Sequence, residues 1–292
     1  MTILITGGRG LLGSALSQHL RKQGHCVVIA SRSATDDDVI SWSPNEGKID
    51  LSSLDSLDAV IHLAGENLAD GRWSKAKKER ILESRRLGTR TIAQAIAAMP
   101  HKPRVMISAS GVNYYPSNTG KIMTETSVKG DDFLAHVCSV WEAETAPAEE
   151  AGIRVMHARL GVVLTPEGGA LAKMLPVFKL GLGGVLGNGR QRMSWIGLED
   201  VVALFDQALE DERFTGPINV VAPDIVTNAE FTKALATSVG KRAFFLPVPA
   251  LVLKLMFGEM AGATLLADLA VKPGRLEEMG YTFKAGSLEK AL

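Results

Sequence analysis

Cysteine is scarce in this sequence, and it forms no pattern typical of metal binding or redox chemistry. The chain of 292 residues contains two cysteines, Cys26 in an apolar run and Cys138 in a helical stretch. Neither belongs to a CxxC or Cys/His cluster, and the six histidines form no HExxH pattern. We therefore expect structural thiols in a reducing compartment and no metal site. His62, which follows an apolar run, is expected to be a buried, hydrogen-bonded histidine rather than a base.

Net charge and long apolar runs are also lacking. Lys+Arg and Asp+Glu both total 32, so no overall field attracts nucleic acid or an anionic membrane. No apolar run approaches about 18 residues, and the chain enters a strand at once, without a basic and apolar leader. These absences favour a cytoplasmic protein whose partner is a small-molecule substrate, with no nucleic acid and no membrane. A homodimer is left open.

Apolar runs alternate with helical stretches along the first two thirds of the chain. Strands are predicted at 2–6, 25–30, 58–64, 104–109, 153–160 and 217–222. Helices are predicted at 11–22, 75–98, 131–151 and 195–210. Continuous apolar strands separated by helices indicate a parallel sheet covered on both faces. The expected fold class is α/β, a doubly wound Rossmann sheet with a smaller C-terminal substrate-binding lobe.

The character of the sequence changes after Leu164, where glycines become frequent between 168 and 189. We predict a nucleotide-binding domain over 1–165, to which return elements near 195–222 belong. A smaller cap or substrate lobe is predicted over 166–292, and it includes a C-terminal domain over 228–292.

A glycine-rich segment joins the first predicted strand to the first predicted helix. In such a turn, backbone N–H groups approach a pyrophosphate that lies at the helix N-terminus. The cofactor-binding residues predicted from this segment are Gly7, Gly8, Arg9, Gly10, Leu11, Leu12 and Gly13. Gly7 would permit the tight turn, Gly10 the close approach and Gly13 the packing of helix on sheet. The alternative is a merely structural turn, although the strand and helix context favours nucleotide binding.

The end of the second strand indicates which dinucleotide is bound. An NAD-preferring unit carries an acidic residue there, whereas this chain has Ala30, Ser31 and Arg32. Arg32 can pair with a 2′-phosphate and Ser31 can hydrogen-bond it, so NADP is the predicted cofactor. The alternative is that Arg32 is a solvated loop cation. The acidic run 36–38 that follows lacks the spacing of a calcium loop and is interpreted as a solvated turn.

Several motifs together resemble a known family. TGxxGxxG at 6–13, HLAG at 62–65 and SASGVNYY at 108–115 resemble the extended short-chain dehydrogenase/reductases. HLAGEN, RW at 72–73, WEA at 141–143, ARLGVVL at 158–164 and the glycine-rich stretch that follows are similar to its subgroup of epimerase family proteins. The resemblance implies NAD(P)-dependent redox or epimerase chemistry, and it spans the whole chain. The cofactor residues that it implies are Leu63, Ala64, Gly65 and Leu164.

One helix position departs from the extended-family pattern. Many members have an asparagine three residues before a Gly-Thr pair, where this chain has Arg85. Arg85 could reach a phosphate or a substrate carboxylate and is included among the predicted cofactor residues. A solvated helix face is nearly as good an interpretation.

The family's Tyr-x-x-x-Lys pair is missing, since none of the three tyrosines is followed four residues later by lysine. Alignment on the WE pair puts Leu134 and Cys138 in those places. Ser110 stands at the family's catalytic Ser/Thr position. Tyr114 is the predicted catalytic partner, with Tyr115 beside it as the alternative donor; either tyrosine can instead be a packing residue.

The segment 187–191 with Trp195 is predicted to contact the substrate, and Arg190 can bind an anionic group in bidentate fashion. Two functions remain open. The first is an NADP(H)-dependent oxidoreductase or epimerase-like enzyme for a small carbonyl, alcohol or sugar-like substrate. The second is a non-catalytic NADP(H)-binding sensor or regulatory protein.

Overall fold

A computed structural model describes residues 1–32, 39–54 and 56–292, with Phe245 described by its backbone alone. The predicted acidic turn at 36–38 lies outside the described residues. The strands are β1 (Thr2–Thr6), β2 (Cys26–Ser31), β3 (Val39–Ser43), β4 (Lys48–Ile49), β5 (Ala59–His62), β6 (Val105–Gly111), β7 (Ile122–Met123), β8 (Arg154–Leu160), β9 (Val162–Leu164), β10 (Gly184–Leu186), β11 (Arg192–Met193), β12 (Trp195–Gly197), β13 (Gly216–Val220), β14 (Val226–Thr227), β15 (Phe244–Val248) and β16 (Ala270–Val271). The helices are α1 (Leu11–Lys22), α2 (Lys75–Ala97), α3 (Phe133–Ala143), α4 (Ala146–Glu150), α5 (Gly169–Lys179), α6 (Leu198–Glu210), α7 (Asn228–Ser238), α8 (Ala250–Phe257), α9 (Gly274–Glu278) and α10 (Leu288–Ala291).

The central sheet has the strand order β13-β8-β6-β5-β1-β2-β3-β4. All neighbours in it are parallel except β3 and β4, which pair antiparallel at one edge. The order reverses direction on either side of β1, as a doubly wound sheet requires. The predicted α/β Rossmann fold is therefore confirmed.

Helices cover both faces of the sheet because its strands are apolar on both sides. On one face, Leu16 and Leu20 of α1 pack with Phe205 of α6 over alternate strand residues. On the other face, Ile92 and Ile96 of α2 pack over the remaining set. The residues Ile3, Leu4 and Ile5 of β1 are all fully buried, which the continuous apolar run predicts.

The structure differs from the sequence prediction at several places, and three of them concern the central sheet and its helices. The helix predicted over 131–151 is two helices, α3 and α4, because Pro147 near the start of α4 has no N–H to continue the first one. The helix predicted from 195 begins at Leu198, since 195–197 form β12 beside β9. The edge strands β3 and β4 have no counterpart in the prediction.

A second, smaller core is formed by elements that follow β9 and lie outside the central sheet. We call these elements, α5, β10, β11, β14, α7, β15 and α8, the cap. Its core contains Leu171 and Phe178 of α5, Phe231 and Leu235 of α7, and Trp195. The cap's strands pair β10 with β15 and β11 with β14. The boundary at 165/166 stays a prediction. Within the described residues, no helix combines the length and hydropathy that crossing a bilayer requires.

Candidate cofactor and catalytic site

The carboxyl ends of the central strands bring the predicted site residues to one edge of the sheet. Thr6 of β1 is in register with Ala30 on one side and with His62 on the other. On the far side of β5, Ser110 of β6 is in register with Arg159 of β8. The glycine loop, the second-strand end and the catalytic candidate therefore share the edge where ligands of such sheets bind.

The glycine loop is shaped by close backbone contacts. Gly7 has φ +70°, and a Cβ there would lie 3.0 Å from the backbone of Leu63 and Ala64. A Cβ on Gly13 would overlap the carbonyl oxygen of Gly7 and lie 2.6 Å from Cα of Gly8. The turn and the packing of helix on loop thus both require glycine, as the motif predicts.

The N-terminus of α1 has the features of a backbone anion site. Its N-cap is Gly10, which supplies no side-chain cap, and the first turn has no acidic residue. The first N–H groups of a helix lack intrahelical acceptors and attract phosphate. Leu11 and Leu12 carry such groups, and the Gly10 N–H donates to Gly7 O at 2.9 Å. This cradle fits a dinucleotide pyrophosphate.

Ser31 ends β2 and Arg32 follows it. Both lie beside the glycine loop, because Ala30 is in register with Thr6. The side chains of Arg32 and Arg9 are exposed, and Ser31 is half-buried. Two arginines at this end of the sheet agree with a site for an additional phosphate.

His62 links β5 to its neighbours beneath the site. The Thr6 hydroxyl accepts from the N–H groups of Leu63 and Ala64 and lies 2.7 Å from His62 Nδ1. The hydroxyl hydrogen is therefore directed to Nδ1, and the imidazole carries its hydrogen on Nε2, 3.1 Å from Thr89 Oγ1. Burial, with the charge of Arg85 second, lowers the pKa of His62 to about 3. The prediction of a buried, hydrogen-bonded histidine is confirmed.

Arg85 supports the loop that follows β5. Its guanidinium donates to the carbonyl oxygens of Glu66 and Ile81, each at 3.1 Å, and stacks on Trp141. A Cβ on Gly65 would lie 3.0 Å from Arg85 Cζ, so glycine leaves room for this stacking cation. Burial lowers the pKa of Arg85 to about 10. Arg85 is thus buried within the fold, and its predicted contact with phosphate or carboxylate stays a prediction.

A buried ion pair stands beside the catalytic candidate. Arg159 binds Glu142 in bidentate fashion, with Nε and Nη2 at 2.8 and 2.7 Å from the two carboxylate oxygens. The hydroxyl of Ser110 donates to Glu142 Oε1 at 2.7 Å. Burial opposes the charge on Arg159, but its bonds to Glu142 outweigh burial and raise the pKa of Arg159. The three side chains form one charged, hydrogen-bonded unit.

The two neighbouring tyrosines have different surroundings. Tyr115 is buried, accepts from Arg159 at 2.8 Å and donates to Asn219 at 2.7 Å. Burial raises the pKa of Tyr115 to about 12, although Arg159 and the hydrogen bonds act against that shift. Tyr114 is half-buried, and its ring lies 3.5 Å from Arg159 Cζ. Tyr115 is therefore a packing residue, and Tyr114 is the tyrosine with exposed surface at this site.

The places of the missing dyad are filled by buried side chains of α3. Leu134 and Cys138 are 3% and 5% exposed. Burial, with the charge of Glu142 second, raises the pKa of the Cys138 thiol to about 12. A neutral thiol cannot hold a ribose hydroxyl or lower a phenol pKa as a lysine does.

The predicted substrate residues lie on different parts of the cap. Arg190 is exposed and follows the turn from β10 to β11. Trp195 is fully buried among the cap core residues and offers no exposed surface. Leu164, expected beside the nicotinamide, is 2% exposed and is in register with Gly197.

Sequence reasoning did not assign Glu142 and Arg159 to the site. A usable signal was present, because an arginine near the end of an apolar strand needs a buried partner. Which carboxylate meets it depends on the strand order. Among the described residues, no group of three or more His, Cys, Asp or Glu side chains is arranged to hold a metal ion.

Comparison with known proteins decides the family. A model of the NAD dependent epimerase/dehydratase family matches residues 3–221. The chain belongs to this family. A domain of unknown function (DUF1731) matches residues 248–292. The resemblance noted in the motifs, to epimerase family proteins of the extended short-chain dehydrogenase/reductases, is confirmed.

Relatives match over nearly the whole chain. Epimerase family protein MT2273 of Mycobacterium tuberculosis (strain CDC 1551 / Oshkosh) is 40% identical, over 99% of this chain and 96% of the relative. The crystal structure of human epimerase family protein SDR39U1 (isoform 2) with NADPH has a TM-score of 0.92 and 36% identity, covering 100% of this chain and 97% of that one. The nucleoside-diphosphate sugar epimerase of Corynebacterium glutamicum has a TM-score of 0.82 and 37% identity, over 100% of this chain and 57% of that one.

Proposed function

We propose that this protein is an NADP(H)-dependent oxidoreductase or epimerase-like enzyme for a small carbonyl, alcohol or sugar-like substrate, working without the Tyr-x-x-x-Lys dyad. The observation that carries this proposal is the hydrogen bond from Ser110 to the buried Glu142–Arg159 pair. This unit lies at the same sheet edge as a loop shaped for a dinucleotide. A purely structural ion pair would not require a serine at the position where the family has its catalytic Ser/Thr.

The chain's own residues account for cofactor binding. The N–H groups at the start of α1 would hold the pyrophosphate, and Gly7 and Gly13 would let the backbone approach it. Arg32, with Arg9 nearby, would pair with the 2′-phosphate of NADP. The human relative's structure with NADPH supports this choice. A nicotinamide bound along this edge supplies a hydride donor or acceptor.

The proposed proton path begins at Ser110. Ser110 is 4% exposed and donates its hydrogen to Glu142, so the lone pairs of Oγ would accept a hydrogen bond from a substrate hydroxyl that reaches it. For oxidation of a substrate alcohol, whose hydride the bound nicotinamide would accept, the substrate O–H proton would pass to Ser110 Oγ while the serine proton passes to Glu142 Oε1. Arg159 would hold the carboxylate in position for this transfer, and Tyr114, whose ring stacks on Arg159, would donate to a second substrate oxygen.

A cofactor sensor is the competing function, and α3 favours it. Leu134 and the neutral thiol of Cys138 cannot perform the dyad's chemistry. The two functions predict the same NADPH binding but opposite results when turnover is measured.

Nicotinamide absorbance, followed over a panel of small carbonyls, alcohols and sugars, tests the proposal. We expect Ser110→Ala and Glu142→Gln each to lower turnover by about 100-fold or more, the usual scale of general acid–base catalysis, with the NADPH Kd unchanged. The matched control is Ser52→Ala, which removes an exposed serine hydroxyl just after the edge strand β4. Tight NADPH binding without turnover on any substrate, or full activity in Ser110→Ala, would support the sensor.

A further inference from the structure

The cap carries large aliphatic side chains on its surface. Leu180 is 74% exposed, Leu251 68% and Leu255 66%. We call the set the cap face; its members are Val177, Leu180, Leu182, Leu246, Leu251, Val252, Leu255 and Met256. Scattered surface leucines need no explanation, but a contiguous group of them marks an interaction surface.

Helix α8 is the most apolar part of this surface. Lys254 is its one charged residue, and Leu253 its one buried residue. Leu251, Val252, Leu255 and Met256 lie at i, i+1, i+4 and i+5, which places them on one stripe about 140° wide at 100° per residue. A helix so apolar is ordinarily covered.

Backbone hydrogen bonds place the elements of the cap face next to one another. Leu182 N–H donates to Val177 O at 3.0 Å, which folds the end of α5 toward β10. Strand β10 then pairs with β15, which contains Leu246, and Gly187 N–H donates to Val248 O at 2.9 Å. Pro249 follows directly and starts α8.

The two segments that contain the cap face carry charge of one sign, and the acidic residues next to them in the chain are Glu167, Glu199, Glu230 and Glu259. The segments 168–198 and 231–258, which contain every member of the face, include no aspartate and no glutamate. Their basic residues are Lys173, Lys179, Arg190, Arg192, Lys233, Lys241, Arg242 and Lys254. Arg192 is paired with Asp268, and the other side chains in this set are exposed. Positive charge is thus concentrated here, although the whole chain has a formal net charge of zero.

We infer that the cap face is a docking surface for an anionic lipid bilayer. Leucines and a methionine would enter the interface while the surrounding lysines and arginines meet lipid phosphates, the pattern of surface-bound amphipathic elements. A second copy of this chain fits less well, because a two-fold contact through this face would set like charges against each other. Such binding goes beyond the proposed function and differs from the absence of a membrane partner expected from the net charge.

Vesicle co-sedimentation of the full-length protein tests this docking surface. Vesicles of phosphatidylcholine alone are compared with vesicles that also contain phosphatidylglycerol, at low and high salt. We expect binding to the anionic vesicles only, and weaker binding at high salt. Lys241→Glu/Arg242→Glu should weaken binding by about tenfold or more, since each basic residue near an anionic surface contributes about fivefold.

Leu251→Asp/Leu255→Asp should abolish binding to the anionic vesicles, and both side chains are exposed enough to be replaced without unfolding. The matched controls are Val128→Asp, 76% exposed outside the cap face, and Lys102→Glu, also exposed and outside it. Unchanged NADPH affinity and thermal unfolding show that each variant is folded. Absence of binding to anionic vesicles, or equal binding by the double leucine variant and Val128→Asp, overturns the proposal. A concentration-dependent dimer that only the double leucine variant loses would overturn it in favour of self-association.

Discussion

Arg32 stands at the end of β2, where a unit that binds NAD carries a carboxylate. We predict tighter binding of NADPH than of NADH by about tenfold or more, because a charge-assisted hydrogen bond contributes about 1.5 to 3 kcal/mol. Arg32→Ala should remove most of that preference, as calorimetry would measure. Arg104 is exposed directly before β6, at the amino ends of the strands, so Arg104→Ala should leave the preference for NADPH unchanged. Equal dissociation constants for the two dinucleotides in the wild-type protein would contradict the assignment.

His62 makes the stability of the fold depend on pH. Its pKa is about 3 in the folded protein, against 6.5 for an ordinary histidine. Below about pH 6.5 the unfolded chain protonates His62, whereas the folded protein does not do so until about pH 3. The free energy of unfolding therefore decreases as the pH falls from 6.5 toward 3. For this residue the loss between pH 7 and pH 5 is about 2 kcal/mol.

His62→Gln should be less stable at pH 7, because the bonds to Thr6 and Thr89 change, but its stability should vary less between pH 7 and pH 5. Urea unfolding at both pH values measures the difference. His157, whose pKa burial also lowers, is present in both proteins and cancels in the comparison. The same pH dependence in both proteins would show that His62 binds a proton in the folded state.

At the scale of elements, the docking of α1 on the glycine loop is the part of the cofactor site most sensitive to volume. Gly13→Ala would force α1 away from Gly7 and Gly8, since the added Cβ has no space. We expect a loss of NADPH affinity of about tenfold or more, together with a lower Tm, because overpacking costs about 1–3 kcal/mol.

Gly262→Ala is the matched control for Gly13→Ala. A Cβ at Gly262 meets nothing within 4 Å, so both NADPH affinity and Tm should be retained. Wild-type NADPH affinity in Gly13→Ala would show that the pyrophosphate is not bound at this helix terminus.

At the scale of the whole molecule, the loop that follows Tyr114 connects the C-terminal part of the chain to the carboxyl ends of the strands, where the candidate catalytic residues lie. Asn118 N–H donates to Asp268 O at 2.7 Å, and Asp268 holds Arg192 in bidentate fashion. The glycine-rich sequence over 181–195, together with residues beyond Thr227, predicts a mobile lid over the nicotinamide end of the cofactor. Strand pairing fixes 184–186, 192–193 and Trp195 within that segment. The turn over 187–191 is tied to β15 and α7 by backbone hydrogen bonds and exposes Asn188 and Arg190, and its closure over the cofactor stays a prediction.

We predict that NADPH slows amide hydrogen exchange in the turn 187–191, because Arg190 would contact an anionic group there. Mass spectrometry of the exchange, with and without NADPH, measures the effect. Arg190→Ala should reduce this protection, and β4 at the distant edge should be unaffected in either protein. Equal exchange in the turn with and without NADPH would refute closure.

The sequence by itself determined the fold class and predicted the cofactor half of the candidate site. Both depend on local order: the glycine loop, α1 and β2 are consecutive, and apolar runs predict buried parallel strands. The break between α3 and α4 escaped this reasoning, although Pro147 marked it. The edge strands β3 and β4 escaped it as well, since β4 has only two residues.

Only the tertiary structure brought the candidate catalytic residues together. Ser110, Glu142 and Arg159 lie on different elements, and they meet because β6 and β8 are neighbours with α3 packed beside them. The sequence around Trp195 is compatible with a position in a cleft or in the cap core, and the tertiary packing places it in the core. The net charge of zero likewise sums over the chain, whereas the positive cap face exists because folding places two acid-free segments side by side. Contacts between residues distant in sequence depend on which elements become neighbours, and local pattern does not specify that.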